Sequence, residues 1–196
     1  MEKILHRREV ASVLLAGRGD ALVVAGLGSP IWDVTSVEDS HANFPVWGAM
    51  GGAACIGLGL ALAQPDRSVL VVTGDGEMLM GLGSLATIAV TRPPNLSVVV
   101  MDNGRYGETG MQRAHTGLGV DLAGMAREAG FAQAMTVRTE AELRGLADRV
   151  YAQRGPLFAA IKIDEEKLPP FVSPRDGAHL KNRFRIALLG VERAME

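Results

Sequence analysis

Two short segments hold the residue types most able to do chemistry. One is Thr73-Gly74-Asp75-Gly76, and the other, with 26 residues between Gly76 and Asn103, is Met101-Asp102-Asn103-Gly104. Each follows an apolar, β-branched run, Ser68 to Thr73 and Leu96 to Met101, so an acid and an amide emerge at the ends of two strands. A carboxylate, an amide oxygen and a backbone carbonyl are the hard donors Mg²⁺ prefers, with phosphate oxygens or water completing its octahedron. Gly76 opens the helix that follows. Its missing side chain lets backbone approach an anion closely, and the helix N-terminus favours negative charge there.

The elements that must position these residues read as a parallel α/β sheet. Apolar runs at Ala21 to Gly26, Ser68 to Thr73, Leu96 to Met101, Ala134 to Val137 and Leu157 to Ile163 alternate with helix-length segments. Val69-Leu70-Val71-Val72 and Val98-Val99-Val100 are continuously apolar, which places their strands at the centre, buried on both faces. Helices are expected over Met50 to Gln64, Glu77 to Thr91, Leu122 to Ala129 and Glu140 to Gln153, with Asp121 and Thr139 as N-caps of the last two. Pro65, Pro93-Pro94 and Gly155-Pro156 stop helices. A last amphipathic stretch, Asp176 to Arg193, carries Leu180, Phe184, Ala187, Leu188 and Val191 on one side. Ligands of open α/β sheets sit beyond the carboxyl ends of the strands, where Asp75 and Asn103 lie. Gly57-Leu58-Gly59 and Gly81-Leu82-Gly83 fall inside helices rather than just after a strand, so close helix packing explains them better than a dinucleotide fingerprint.

A chain of 196 residues suits one domain, 1–196, with the tail 167–196 packing on it or on a partner. Twenty Lys and Arg against 22 Asp and Glu, with no basic stripe, argue against nucleic acid. The longest apolar run, Ala49 to Ala63, is too short and glycine-rich to span a membrane. Met1 to Val10 has no apolar signal region, so a cytoplasmic protein is expected. Cys55, the lone cysteine, reads as a small core residue rather than a nucleophile.

The Gly74-Asp75-Gly76 segment, its spacer and Asn103 resemble the metal and diphosphate motif of thiamine diphosphate enzymes. The resemblance implies that Asp75 and Asn103 give side-chain ligands to Mg²⁺ and Arg105 its backbone carbonyl, with Gly74, Gly76, Glu77, Tyr106, Gly107 and Glu108 around the cofactor. Upstream, Gly48-Ala49-Met50-Gly51 is similar to the family's second signature. Carried over, Gly48 offers a carbonyl to the aminopyrimidine, and Met50 wedges the cofactor into a V that sets its amino group against the thiazolium carbon. Proximity then replaces a strong base. The cofactor holds the electrons left when CO₂ leaves a 2-oxoacid, while the protein supplies positioning and electrostatics. The family's fold is a three-layer sandwich with a central, mostly parallel sheet. The glutamate that addresses the pyrimidine ring sits on a second domain, not found in this sequence, which implies a partner chain.

A short chain carrying only the diphosphate half resembles the β subunits of the sulfopyruvate and phosphonopyruvate decarboxylase group. Gly81 to Ala89, Asp102 to Gln112 and Arg175-Asp176-Gly177 share in the likeness, which runs from about Asn43 into the tail. The resemblance implies a hetero-oligomer acting on a small anionic 2-oxoacid. Glu77 departs from the family, where a small residue follows Gly-Asp-Gly, and its charge would repel a diphosphate unless it turns away. Asp102 replaces the first of a common Asn pair. Arg105, Arg113 and His115 are the cations nearest the motif for a sulfonate or phosphonate, His41 could carry protons, and Glu108 and Gln112 could order the loop. His6 and His179 belong to charged, exposed segments. A carboligase or lyase with the same cofactor, or a non-catalytic subunit, stays open as an alternative.

Overall fold

The structure, a computed structural model, describes residues 4–171 and 174–194. The remaining residues of the expected 1–196 domain and 167–196 tail lie outside the described residues. In chain order the elements are α1 (Arg7–Leu15), β1 (Leu22–Ala25), α2 (Ser29–Val37), β2 (Asn43–Pro45), α3 (Ala53–Ala63), β3 (Val69–Gly74), α4 (Asp75–Met80), α5 (Ser84–Thr91), β4 (Leu96–Asp102), β5 (Arg105–Tyr106), β6 (Gln112–Arg113), α6 (Leu122–Ala129), β7 (Gln133–Val137), α7 (Glu140–Ala147), β8 (Leu157–Lys162) and α8 (Gly177–Ala194).

Six strands form one sheet in the order β2-β1-β3-β4-β8-β7, and every pairing is parallel. The strands with continuous apolar runs, β3 and β4, are central, and β4 is buried at every position. The pleat sends alternate residues to opposite faces. Val69, Val71, Val98 and Val100 meet α3, α5 and α6 on one side, while Leu70, Val72, Val99 and Met101 meet α1, α2 and α7 on the other. The result is the expected three-layer α/β sandwich.

Three elements carried little sequence signal. Charge hides α1, which opens on two arginines and buries Val10, Ala11 and Leu14. At three residues, β2 is too short for periodicity to show; its Pro45 is tolerated because β2 is an edge strand. The third, α2, did have a signal in Pro30 in its first turn.

The expected helix from Glu77 to Thr91 is broken in two. A Cβ on Gly81 would stand 2.2 Å from the Gly51 carbonyl oxygen, so the chain turns at Gly81 to Gly83 to let two backbones touch. Close packing does explain Gly57, where a Cβ would meet Val71 at 2.2 Å, but nothing lies within 4 Å of one at Gly59. Before α3, the segment from Met50 forms a turn, and Gly51 has φ +92°. Cys55 is exposed on α3, against the expectation of a core thiol, because α3 turns that side of the helix to solvent. Thr139 caps α7, accepting a bond from the Glu142 N–H at 3.2 Å while the Glu142 carboxylate binds the Thr139 N–H. Asp121 precedes α6 without a side-chain cap bond. The tail packs on the chain itself. Phe184 stacks on Phe44 with ring centroids 5.1 Å apart, Trp47 Nε1 donates to the Pro174 carbonyl at 3.0 Å, and Arg175 lies over the Trp47 ring. Helix α8 is kinked at Gly190.

Candidate functional site

The carboxyl ends of β1, β3 and β4 open into one recess of about 120 Å³. Its walls include Leu27 and Ser29 after β1, Gly74, Asp75, Gly76 and Glu77 after β3, Asn103 after β4, and Arg105 to Thr109 from the segment beyond. Strand register explains the convergence. Gly74 pairs with Met101, so Asp75 and Asn103 leave adjacent strands close to the same level.

Asp75 is the first residue of α4 and is 2% exposed. Its Oδ2 accepts a 2.6 Å bond from the Thr116 hydroxyl. Burial pushes its carboxyl up to about 6; the Thr116 bond opposes that rise, and the Asp102 charge adds to it. Thr116 carried no signal in the sequence, because its contact with Asp75 spans 41 positions. Asn103 Oδ1 accepts from the Arg105 N–H at 3.0 Å, an Asx turn that fixes the amide and reverses the chain into β5. An amide oxygen has a second lone pair, so this bond leaves it able to take another partner.

Gly76 is needed for a reason other than anion approach. A Cβ there would lie 2.5 Å from the Tyr106 ring, so the glycine makes room for the aromatic that closes the β5–β6 hairpin over α4. Gly74 faces open space in the recess.

Glu77, in the recess wall, is buried and tied to the end of β3. Its Oε2 accepts from the Thr73 hydroxyl at 2.7 Å, beside Gly26, where a Cβ would come within 1.9 Å of that oxygen. Burial raises its pKa, against the Thr73 bond and nearby backbone groups of Leu27, Gly51 and Ala53. Asp102 does not line the recess. It pairs with Lys162 and accepts from the Gly104 N–H at 3.1 Å.

The loop cations are engaged elsewhere. Arg105 pairs with Glu165 at 2.9 Å, Arg113 donates to the Gly117 carbonyl at 2.6 Å, and His115 Nδ1 lies 3.3 Å from the Tyr106 hydroxyl. Only Arg105 of these lines the recess. Gln112 bonds Thr109, closing the hairpin turn, and Glu108 reaches back against Gly28. His41 is exposed just before β2, at the amino end of that parallel strand, and does not line the recess at the carboxyl ends. Met50 lines the recess and is 40% exposed, and Gly48 is exposed near it in the same loop.

Residues 32–161 match the C-terminal TPP binding domain of thiamine pyrophosphate enzymes. The chain belongs to the thiamine pyrophosphate enzyme family. Among its relatives, the sulfopyruvate decarboxylase subunit beta of Methanothermobacter thermautotrophicus is 35% identical over 92% of this chain and 94% of that protein. The phosphonopyruvate decarboxylase of Streptomyces viridochromogenes is 36% identical over 85% of this chain, which spans 42% of that longer protein. A crystal structure of a putative thiamin diphosphate-dependent enzyme from Mycobacterium smegmatis superimposes with a TM-score of 0.70 at 22% identity, over 82% of this chain and 32% of that one, and shares the fold. For a thiamine pyrophosphate enzyme, the donors at the recess are chemically apt. Asp75 Oδ1, Asn103 Oδ1 and the carbonyls of the following turn are hard oxygens suited to a divalent ion that also holds a diphosphate. Among the described residues no helix is long and apolar enough to cross a membrane.

Proposed function

We propose that this chain is the diphosphate-binding subunit of a two-component, thiamine diphosphate- and Mg²⁺-dependent decarboxylase of a small anionic 2-oxoacid, of the sulfopyruvate or phosphonopyruvate kind, giving an aldehyde and CO₂. The observation that carries it is a buried carboxylate, Asp75, and a fixed amide, Asn103, on adjacent strand ends lining one recess with Gly74 and Gly76. In this reading Asp75, Asn103 and the Arg105 carbonyl hold Mg²⁺, and Gly74, Gly76, Tyr106, Gly107 and Glu108 border the diphosphate. Glu77 supports the strand end from behind. Gly48 and Met50 face the aminopyrimidine. When bound, the cofactor supplies the electron sink that decarboxylation needs. The chain's own residues orient it and keep the metal ligands in place. Thr116 holds the Asp75 carboxylate, the Arg105 N–H holds the Asn103 amide, and Tyr106 closes the hairpin over the start of α4.

The same geometry favours an incomplete site. A recess of about 120 Å³ holds part of a ligand, whereas whole-ligand pockets run to roughly 300–1,000 Å³. Met50 also lies uncovered at its rim. A pyrimidine-binding α subunit carrying the catalytic glutamate would close it, in a cytoplasmic hetero-oligomer whose single domain here is chain 1–196. The test is calorimetry of the full chain with thiamine diphosphate, with and without Mg²⁺, then product analysis with the companion subunit and an oxoacid panel. Saturable, Mg²⁺-dependent binding and aldehyde formation only in the complex are expected. Mg²⁺-independent or absent binding would refute the reading, and a carboligation product would reassign the reaction.

A further inference from the structure

Arg7, the first residue of α1, is folded beneath the recess and is only 5% exposed. Its Nε lies 3.0 Å from both oxygens of Asp33, itself 1% exposed on α2. Its Nη2 is buried and has no hydrogen-bond partner among the described residues. Arg8 approaches the same carboxylate, Nε to Oδ1 at 3.6 Å, so Asp33 is shared between two guanidiniums. A buried guanidinium with an unused donor is unfavourable unless an acceptor completes it.

An independent feature of the same recess also suits an anion. Arg7 and Asp33 line it together with Ser29, Gly74 and Asp75. Ser29 begins α2, whose N-cap, Gly28 with φ +86°, has no side chain to cap the first turn, although the Glu108 carboxylate lies against Gly28. One wall thus carries Asp75 and Asn103, suited to a cation. Another carries an arginine and a helix N-terminus, suited to the anion that cation accompanies.

Resting on the thiamine diphosphate reading, we infer that Arg7, oriented by Asp33, is a diphosphate-binding residue that donates from its guanidinium to a phosphoryl oxygen beside the start of α2. The planar guanidinium matters, because its fork presents two parallel donors to a phosphoryl group, which an ammonium cannot do. The diphosphate suits this wall better than the oxoacid does, since its several charged oxygens can engage Arg7, the helix start and the metal wall at once.

The test uses the full chain as wild type, Arg7→Gln and Arg7→Lys, each checked for folding by circular dichroism. Calorimetry with inorganic pyrophosphate, thiamine diphosphate and thiamine monophosphate, each with Mg²⁺, reads the affinities. Arg7→Gln should weaken pyrophosphate and thiamine diphosphate by about tenfold to a hundredfold, the range of one charge-assisted hydrogen bond. Arg7→Lys should lose less, and both should narrow the preference for diphosphate over monophosphate, which a purely structural role would leave unchanged. If Arg7→Gln does not fold, the preference measured in Arg7→Lys decides, and a wild-type value overturns the inference. Unchanged pyrophosphate binding in a folded variant also overturns it, while wild-type Mg²⁺-dependent cofactor binding leaves the proposed function standing. Normal cofactor binding with a raised KM for the oxoacid in the complex would give Arg7 to the substrate and overturn the diphosphate assignment. Wild-type chain that takes no thiamine diphosphate would remove both.

Discussion

Replacing Asp75 with asparagine should move stability and cofactor capture in opposite directions. The carboxyl is 2% exposed and burial lifts it from 3.8 to about 6 in the folded chain. An acid whose folded pKa exceeds its unfolded value holds a proton that the unfolded chain has already released, so the contribution of Asp75 to the stability of the metal-free protein is greatest below about pH 4. That contribution then falls as pH rises to about 6 and levels off above it. Two pKa units correspond to about 3 kcal/mol. Asp75→Asn has the same shape, keeps an oxygen for the Thr116 hydroxyl and carries no charge, so without metal at pH 7.5 it should exceed wild type by about 3 kcal/mol. For a chain of this size that is roughly 6–12 °C in Tm. Glu77 and the other acids are common to both proteins and cancel in the difference. The assay is urea unfolding of both proteins in chelator from pH 4 to 8, repeated with Mg²⁺ and thiamine diphosphate. The advantage of the variant should vanish toward pH 4, and the ligands should stabilise wild type alone. A difference that does not change with pH, or a variant less stable than wild type at pH 7.5 without metal, would refute the argument that this carboxylate is held under strain by its surroundings.

Two further outcomes follow from packing. Gly26→Ala should cost about 1–3 kcal/mol because its methyl would meet the Glu77 carboxylate, and Glu77→Ala should relieve most of that cost, giving a positive coupling in a double-mutant cycle of urea midpoints; additive effects would show that the two do not touch. Phe184→Ala removes a ring that is 5% exposed and packed on Phe44, and should cost about 3–5 kcal/mol by thermal or urea unfolding if α8 is part of this chain's own core; a near-neutral result would mean that α8 detaches in solution.

The sequence was most legible where local signals agreed. Val69 to Thr73 and Leu96 to Met101 are apolar on both faces, so their central place in a parallel sheet could be read directly, and with it the positions of Asp75 and Asn103 at its carboxyl edge. The capping box at Thr139 was equally local. What escaped depends on contacts between distant positions. Thr116 reaches Asp75 only through the hairpin, and Arg7 acquires meaning only when α1 folds against Asp33, 26 positions away. Gly76 was expected to make room for an anion; the neighbour a Cβ there would strike is Tyr106, a contact between positions 30 apart that no local signal reveals. His41 lies a few residues before Trp47 along the chain, but β2 runs between them and sets the histidine at the amino end of that strand, away from the carboxyl-end recess.

The ties from Trp47 to Pro174 and from Phe44 to Phe184 have a consequence for how the protein matures on the ribosome. The loop bearing Gly48 and Met50 follows directly on these two aromatics, and neither gains its partner until more than 120 further residues have been translated. A nascent chain that has already formed β3 and β4 therefore owns its acid and its amide, but still lacks the clasp that steadies the opposite rim. The rim bearing Gly48 and Met50 gains these two supports only after Pro174 and Phe184 have been made.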